Sequence, residues 1–305
     1  MSVSVFTLKS QVLQMKSKAL VALAALAAGL SACEGGGSGT MTVRLTDAPF
    51  PFAEVSRVDV HVVRVDARTV EPTPTEAEND DDMSSWTTIA EPNALINLLE
   101  LSNGTTTNLG EETLPTGTYR GFRIVIDPSK SSVTLKDGSK PEVQWPSAAQ
   151  TGIKVNLDQP ISLTENGSVV ILDFDVGRSF VMRGNSIKNN GLLFKPVVRG
   201  TATDITGSAS GVVRGDNATG PVVADATVEV LKAGTTLDNA DDANIVATAK
   251  TDANGAFKFA FLLPGTYVLR ATPPAGSVYK PALLTGGFTV TTGQETSGLN
   301  VILGR

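Results

Sequence analysis

Beyond Thr40 the chain alternates apolar and polar residues at period two almost without interruption, and no long stretch carries apolar residues at helical spacing. Met41, Val43 and Leu45 alternate with Thr42, Arg44 and Thr46. Phe122, Ile124 and Ile126 make a second such face, and Val170, Leu172, Phe174 and Val176 a third. Between Val58 and Val65 the phase slips: Val58, Val60 and Val62 give way to Val63 and Val65, which predicts a bulge or a strand covered on both faces. Asn103-Gly104, Asp137-Gly138, Asn166-Gly167, Asn190-Gly191 and Asn254-Gly255 punctuate the runs. Such dipeptides supply the positive φ angles of two-residue hairpins, so each predicts a hairpin. The pattern excludes a helical bundle and predicts an all-β chain built of β-sandwiches.

The alternation restarts once, near Ile205. Upstream, "GLLFKPVVRGTATD" closes a strand-rich unit; downstream, a new alternation begins at Ala226, Val228 and Val230. This predicts one sandwich over residues 40–203 and a second, of about seven short strands, over residues 205–305. "LPTGTYRGFRI" from Leu114 and "LPGTYVLRA" from Leu263 share a Leu-Pro turn, a Gly-Thr-Tyr step and a following strand. Similar turn chemistry in two sandwiches accounts for this without duplication.

The first forty residues follow other rules. Lys9, Lys16 and Lys18 precede a 12-residue apolar run, Ala19–Leu30, then small residues and Cys33, the only cysteine in the chain. This is the layout of a secretory signal. A helix of that length covers about 18 Å, short of a ~30 Å hydrocarbon core. One cysteine forms no internal disulfide, and its flanks lack the His or cationic neighbour of a reactive thiol. Leu30-Ser31-Ala32-Cys33 resembles the lipobox of bacterial lipoproteins. The resemblance implies cleavage of residues 1–32 and lipidation of Cys33, with residues 33–39 a Gly/Ser tether. Two or three acyl chains give stable anchoring where one is marginal. An uncleaved anchor and ordinary secretion with a spare thiol are the alternatives. Met15 also heads a complete signal, and with Glu34 where inner-membrane retention usually shows Asp, the resemblance to bacterial lipoproteins implies the outer membrane.

Charge narrows the partners. The mature chain of 273 residues carries 22 Lys and Arg against 31 Asp and Glu, a net −9. Such a body lacks the basic stripe that nucleic acid requires, and anionic headgroups repel it. The partners expected are the membrane, through the lipid, and a carbohydrate or an envelope protein.

Catalytic patterns are scarce. H-E-x-x-H, P-loop and Rossmann signatures are absent, and Gly207-Ser208-Ala209-Ser210-Gly211 has alanine where the nucleophile of G-x-S-x-G would stand. His61, the only histidine, reads as a solvent-facing strand residue, with Asp59 near enough to pair with it. Asp47 reads as a structural cap. Asp173 and Asp175 are the one pair suggestive of chemistry: at i and i+2 on a strand, both carboxylates leave one face while Leu172 and Phe174 enter the core. Two adjacent carboxylates call for a cation. Arg178 and Arg183 are the first candidates, and Ca²⁺ is the alternative, the only cofactor the chain suggests. A carboxylate- or metal-dependent hydrolase using this pair is the catalytic alternative. The acidic run Glu71–Asp82 and the stretch Asp238–Asn244 lack the glycine and terminal glutamate of a Ca²⁺ loop, and "TDANG" from Thr251 is turn chemistry. Aromatic residues are only 5% of the chain, which weakens a sugar-stacking surface; Trp86 and Trp145 read as packing residues of the first sandwich.

"GTMTVRLTDAPFPFAEVSRVDVHVVRVDA", "INLLELSNGTTTNLG", "LPTGTYRGFRIVID", "LDFDVGRSFVMRGNS" and "LLFKPVVRG", in this order over about residues 39–203, resemble the bacterial lipoprotein family of unknown function DUF4382. The resemblance brings no activity with it. "GVVRGDNATGPVVADATVEV", "ATAKTDANGAFKFAFLLPGTYVLRATP" and the closing "TSGLNVIL" are similar to carboxypeptidase-regulatory-like or transthyretin-like modules. That resemblance implies an Ig-like or prealbumin-like sandwich, in a fold group that includes carbohydrate-binding domains. The expectation is a non-catalytic, lipid-anchored envelope protein that binds or scaffolds, with carbohydrate the best-motivated ligand class. A purely architectural partner in an envelope complex is the other reading.

Overall fold

The computed structural model describes residues 36–48, 54–69, 86–145, 152–239, 241–284 and 286–305. The chain divides into two compact units, Met1–Gly37 and Ser38–Arg305. Only Gly36 and Gly37 of the first are described, so Cys33 and its flanks lie outside the described residues, as does the acidic run Glu71–Asp82.

The second unit is almost entirely β-structure. Its central strand is β1 (Ser38–Ala48), flanked by β13 (Ser168–Asp175) in parallel and β5 (Thr107–Pro115) in antiparallel. Beyond β13 the sheet continues through β16 (Val198–Ala202) to β11 (Asn156–Leu157). The opposing sheet centres on β2 (Val55–Arg68), which pairs with β3 (Thr87–Ala90), β4 (Ala94–Asn97), β7 (Gly121–Ile126) and β8 (Ser132–Leu135); β10 (Ile153–Lys154) extends it beyond β7. Two small sheets complete this half: β6 (Gly117–Tyr119) with β12 (Ile161–Leu163), and β14 (Phe180–Met182) with β15 (Leu192–Phe194) and β9 (Val143–Gln144). Helical turns α1 (Val176–Ser179) and α2 (Ile187–Asn190) lie among the last strands. Val176, the last residue of the third alternating face, thus opens a helical turn and remains fully buried.

Alternation explains how the core fills. Met41, Val43 and Leu45 are fully buried, as are Val170 and Leu172; Phe174, Phe122 and Ile124 are within 1% of it. These residues of both large sheets belong to one apolar cluster, as a sandwich requires. A slip of one residue in β1 would exchange this set for Thr42 and Arg44. The phase change in β2 is a bulge: its register with β7 passes from Val62 to Arg64, and the Val63 carbonyl accepts from Asn93 N–H at 3.3 Å. Asp59 and His61 are also buried, so this strand is covered on both faces as well.

The remaining strands enclose a second cluster, which includes Val213, Val228, Phe257, Phe259, Leu269 and Val301. One sheet orders β20 (Ala256–Leu262), β17 (Gly207–Gly215) and β24 (Glu295–Leu303), with β24 parallel to β17. The other orders β19 (Ile245–Lys250), β18 (Thr227–Lys232), β21 (Gly265–Thr272) and β22 (Ala282–Leu283), with β23 (Phe288–Val290) on β21. These are eight strands among the described residues, against the seven expected.

The five Asx-Gly dipeptides do turn the chain, with every glycine at φ between 70° and 82°. None forms the hairpin the sequence predicts. Asn103-Gly104 links a 3-10 turn to β5, and Asn190-Gly191 closes α2. The other three lead into a strand of a different sheet. A positive φ makes a tight turn wherever it falls; the destination is set by where the next apolar face finds cover.

Candidate functional site

The outward face of the first sheet carries one polar row. Thr46 on β1 is in register with Asp173 on β13, Asp173 with Arg199 on β16, and Arg199 with Asn156 on β11. Period two aligns Ile171 and Thr201 beside them, themselves in register. All six line a cavity of about 610 Å³, a volume suited to a small-molecule ligand. Its other wall comes mainly from β19 and β20, with Ile245, Val246, Thr248, Lys258 and Phe261, and from Lys232, Leu263 and Tyr267 beside them. The site is a cleft with a polar floor and a roof of mixed apolar and basic side chains.

Most charged groups around the cleft are already engaged. Arg199 Nη2 donates to both carboxylate oxygens of Asp158 at 2.9 Å. The Thr46 hydroxyl lies 2.8 Å from the Thr105 carbonyl and 3.1 Å from that of Leu101. Asp47 accepts from Val176 N–H at 3.1 Å. Arg178 sits 3.7 Å from Asp175, Lys258 3.6 Å from Glu295, and Lys232 donates to the Ala243 carbonyl at 2.7 Å. Asp173 differs. Among the described residues its carboxylate has no hydrogen-bond partner, and it faces the cavity. Burial pushes Asp173 up to about 6; the like charge of Asp175 adds to the effect and Arg199 opposes it. The Thr201 hydroxyl is buried in the same wall without a partner.

Asp173 and Asp175 therefore do not act as a matched pair. Asp175 Oδ1 accepts the Arg178 N–H at 2.9 Å and caps α1, so its carboxylate serves the helical turn. Arg178 is the cation expected for Asp175. Arg183 is not part of the group: it lies 3.9 Å from Glu142, and Arg199 is the cation facing Asp173. No three acidic, His or Cys side chains among the described residues converge to hold a metal ion.

His61 departs from expectation. It is buried at 8% exposure and does not face solvent, and Asp59 binds Arg57 at 2.7 Å instead. Trp145, partly buried, packs on Phe180 and Phe194 at the margin of the first core. Trp86 lies between the guanidiniums of Arg68 and Arg123, at 4.7 and 4.5 Å. Arg199, Asp158, Phe261 and Tyr267 complete the cleft, and sequence reasoning did not single them out. The alternation Arg199–Thr201 in "VVRGT" puts both on one face, but not beside Asp173.

A family model described as "Domain of unknown function (DUF4382)" matches residues 38–196. No curated protein matches the chain. Among solved structures, the chain is similar to the Bacillus anthracis TIE protein at 11% identity and a TM-score of 0.25, covering 90% of this chain and 42% of that one. It thus spans less than half the length of that protein. It is similar to GBS52, the minor pilin of Streptococcus agalactiae, at 11% identity and a TM-score of 0.24, over 87% of this chain and 96% of the pilin. PA1324 of Pseudomonas aeruginosa, a candidate carbohydrate-binding protein, aligns at 19% identity and a TM-score of 0.22, over 34% of this chain and 92% of that one. Superpositions this loose carry no inference about ligand or partner.

Proposed function

This chain belongs to the DUF4382 family, matched over residues 38–196, and we propose that it is a non-catalytic, lipid-anchored envelope protein that binds carbohydrate in the cleft. The observation that carries the proposal is a floor on which the Asp173 carboxylate and the Thr201 hydroxyl are unengaged among the described residues, set opposite a wall that presents the apolar surface of Phe261. A sugar ring has the same two-sidedness, with hydroxyls at its edge and C–H groups on its face. Asp173 offers acceptor oxygens, and Arg199 has guanidinium N–H groups beyond the one that holds Asp158. Acid–base hydrolysis would need two ionisable groups in contrasting environments. Here Asp158 is held by Arg199 and Asp47 accepts from Val176 N–H, which leaves Asp173 as the cleft carboxylate with no partner among the described residues.

Lipidation at Cys33 supplies the anchor in this proposal, on the strength of the signal layout that precedes it. Two measurements test the two halves. A glycan array probed with the full chain in detergent should give signals that Asp173→Ala removes; an array with no signal above background refutes carbohydrate binding. Cys33→Ala should leave the protein unlipidated and shift it from the membrane fraction. Wild-type processing and membrane retention of that variant would refute the anchor.

A further inference from the structure

β20 contains an irregularity in its pairing with β17. Gly207 meets Leu262 and Ala209 meets Phe259, so Ala260 and Phe261 together face Ser208. Two residues opposite one is a bulge. Phe257 and Phe259 point into the second core at 3% exposure, and Leu262, not Phe261, resumes that face, also at 3%. Phe261 belongs to neither apolar cluster and instead lines the cleft.

The backbone at Phe261 has φ = 58°, in the left-handed region that bulky side chains rarely enter. Glycine or asparagine would occupy it with less strain. The bulge is also clamped from the other wall: a Cβ on Gly104 would lie 2.9 Å from the Ala260 Cβ. A strained aromatic, excluded from both cores and held against a ligand-sized cavity, is the kind of outlier that concentrates at binding sites.

The charges define what the aromatic would hold. Each cation lining the cleft has an intramolecular partner, whereas the Asp173 carboxylate has none among the described residues. A ligand must therefore bring donors to Asp173, and a sugar carboxylate set against Asp173 would be repelled. We propose that Phe261 is the stacking platform of the cleft, and that the cleft selects a neutral or amino-bearing pyranose with an unbroken axial C–H face over a uronate, an inference that rests on carbohydrate binding there at all. The bulge turns the ring to the C–H face, while the Asp173–Arg199 row meets the hydroxyl or ammonium edge.

The test titrates the full chain in detergent with cellotetraose, a glucosamine tetramer and tetragalacturonate by calorimetry, alongside thermal melting. Wild type should bind one of the first two at least tenfold more tightly than tetragalacturonate. Phe261→Gly should weaken that binding tenfold or more while the melting temperature holds or rises, because glycine relaxes the backbone. Phe261→Tyr should keep the affinity. Unchanged binding by Phe261→Gly, or a fall of several degrees in its melting temperature, would overturn the platform and leave the carbohydrate reading standing. Tetragalacturonate bound as tightly as the others would overturn the selectivity. Failure of wild type to bind any of the three, with an empty glycan array, would remove both.

Discussion

Gly104 and Ala260 meet across the cleft: one belongs to the turn ahead of β5, the other to the bulge in β20, and a Cβ on Gly104 would approach the Ala260 Cβ to 2.9 Å. Gly104 also sits at φ = 82°. Gly104→Ala therefore meets two penalties, about 1–2 kcal/mol for a left-handed alanine and a further steric term. The expected result is a melting temperature lower by several degrees and weaker ligand binding. Adding Ala260→Gly should recover the steric part alone, and a double-mutant cycle measures it. A strictly additive cycle would show that the contact has no energetic weight.

Asp173 should lower stability at neutral pH. Its ordinary value is 3.8 and in the folded protein it titrates near 6, so between these limits the folded state holds the extra proton. Stability attributable to this group is then present below about pH 4 and is lost as pH rises through about 6. Asp173→Asn should raise unfolding free energy at pH 7 by up to about 3 kcal/mol and leave it nearly unchanged at pH 3.5. Urea unfolding at both pH values checks this. The sign is opposite to that of an aspartate held by an ion pair, which is what the sequence suggests. A loss of stability at pH 7 would restore that earlier view, with Arg199 as the partner.

The two observations show what was legible in the sequence. The alternation of Thr42, Arg44 and Thr46 with Met41, Val43 and Leu45 marked the faces of β1, and the slip at Val63 marked the bulge in β2, since both are local consequences of the pleat. Asp173 stood out for the same reason. Arg199 did not, because its place beside Asp173 depends on pairing between β13 and β16, which are separated by α1, β14, α2 and β15. Turn residues set φ but not the strand that follows, so Asn254-Gly255 was recognisable as a turn while its passage from one sheet to another was not. Phe261 continues the Phe257–Phe259 alternation in sequence. Only the register with β17 shows that it leaves that face.

Asp66 should be the most sensitive charged residue of the first sandwich. It accepts from Arg123 Nε at 2.7 Å and from the Thr88 hydroxyl at 2.9 Å, and Arg64 Nε lies 3.1 Å away. Asp66 and Arg123 side chains are 2% and 6% exposed, so removing the carboxylate takes an ion-pair partner from a buried guanidinium. Asp66→Ala should cost about 3–5 kcal/mol. Arg123→Lys should not restore wild-type stability, since lysine cannot offer the planar guanidinium that packs over Trp86. Denaturant midpoints of the two variants measure both effects. A loss below about 1 kcal/mol for Asp66→Ala would mean that this pair behaves as a surface bridge.

Tyr119 and Tyr267 make the same bond in the two Leu-Pro turns: each hydroxyl donates to the carbonyl four residues upstream, Pro115 at 3.0 Å and Leu263 at 2.9 Å. Both tie the start of a strand to the corner before it, as tyrosines do in other sandwiches. Burial raises the phenol of each, and Asp158 adds to the effect at Tyr267. Their surroundings otherwise differ. Tyr119 is 3% exposed within the first core, whereas Tyr267 is half-buried and lines the cleft. Substitution by phenylalanine should remove about 0.5–1.5 kcal/mol at either position. Only Tyr267→Phe should also alter ligand affinity, because only that hydroxyl stands at the site. Chemical denaturation and calorimetry on the same two variants separate these effects. Equal affinities for Tyr119→Phe, Tyr267→Phe and wild type would confine the second tyrosine to the turn, whereas a loss of binding restricted to Tyr267→Phe would make this corner part of the cleft.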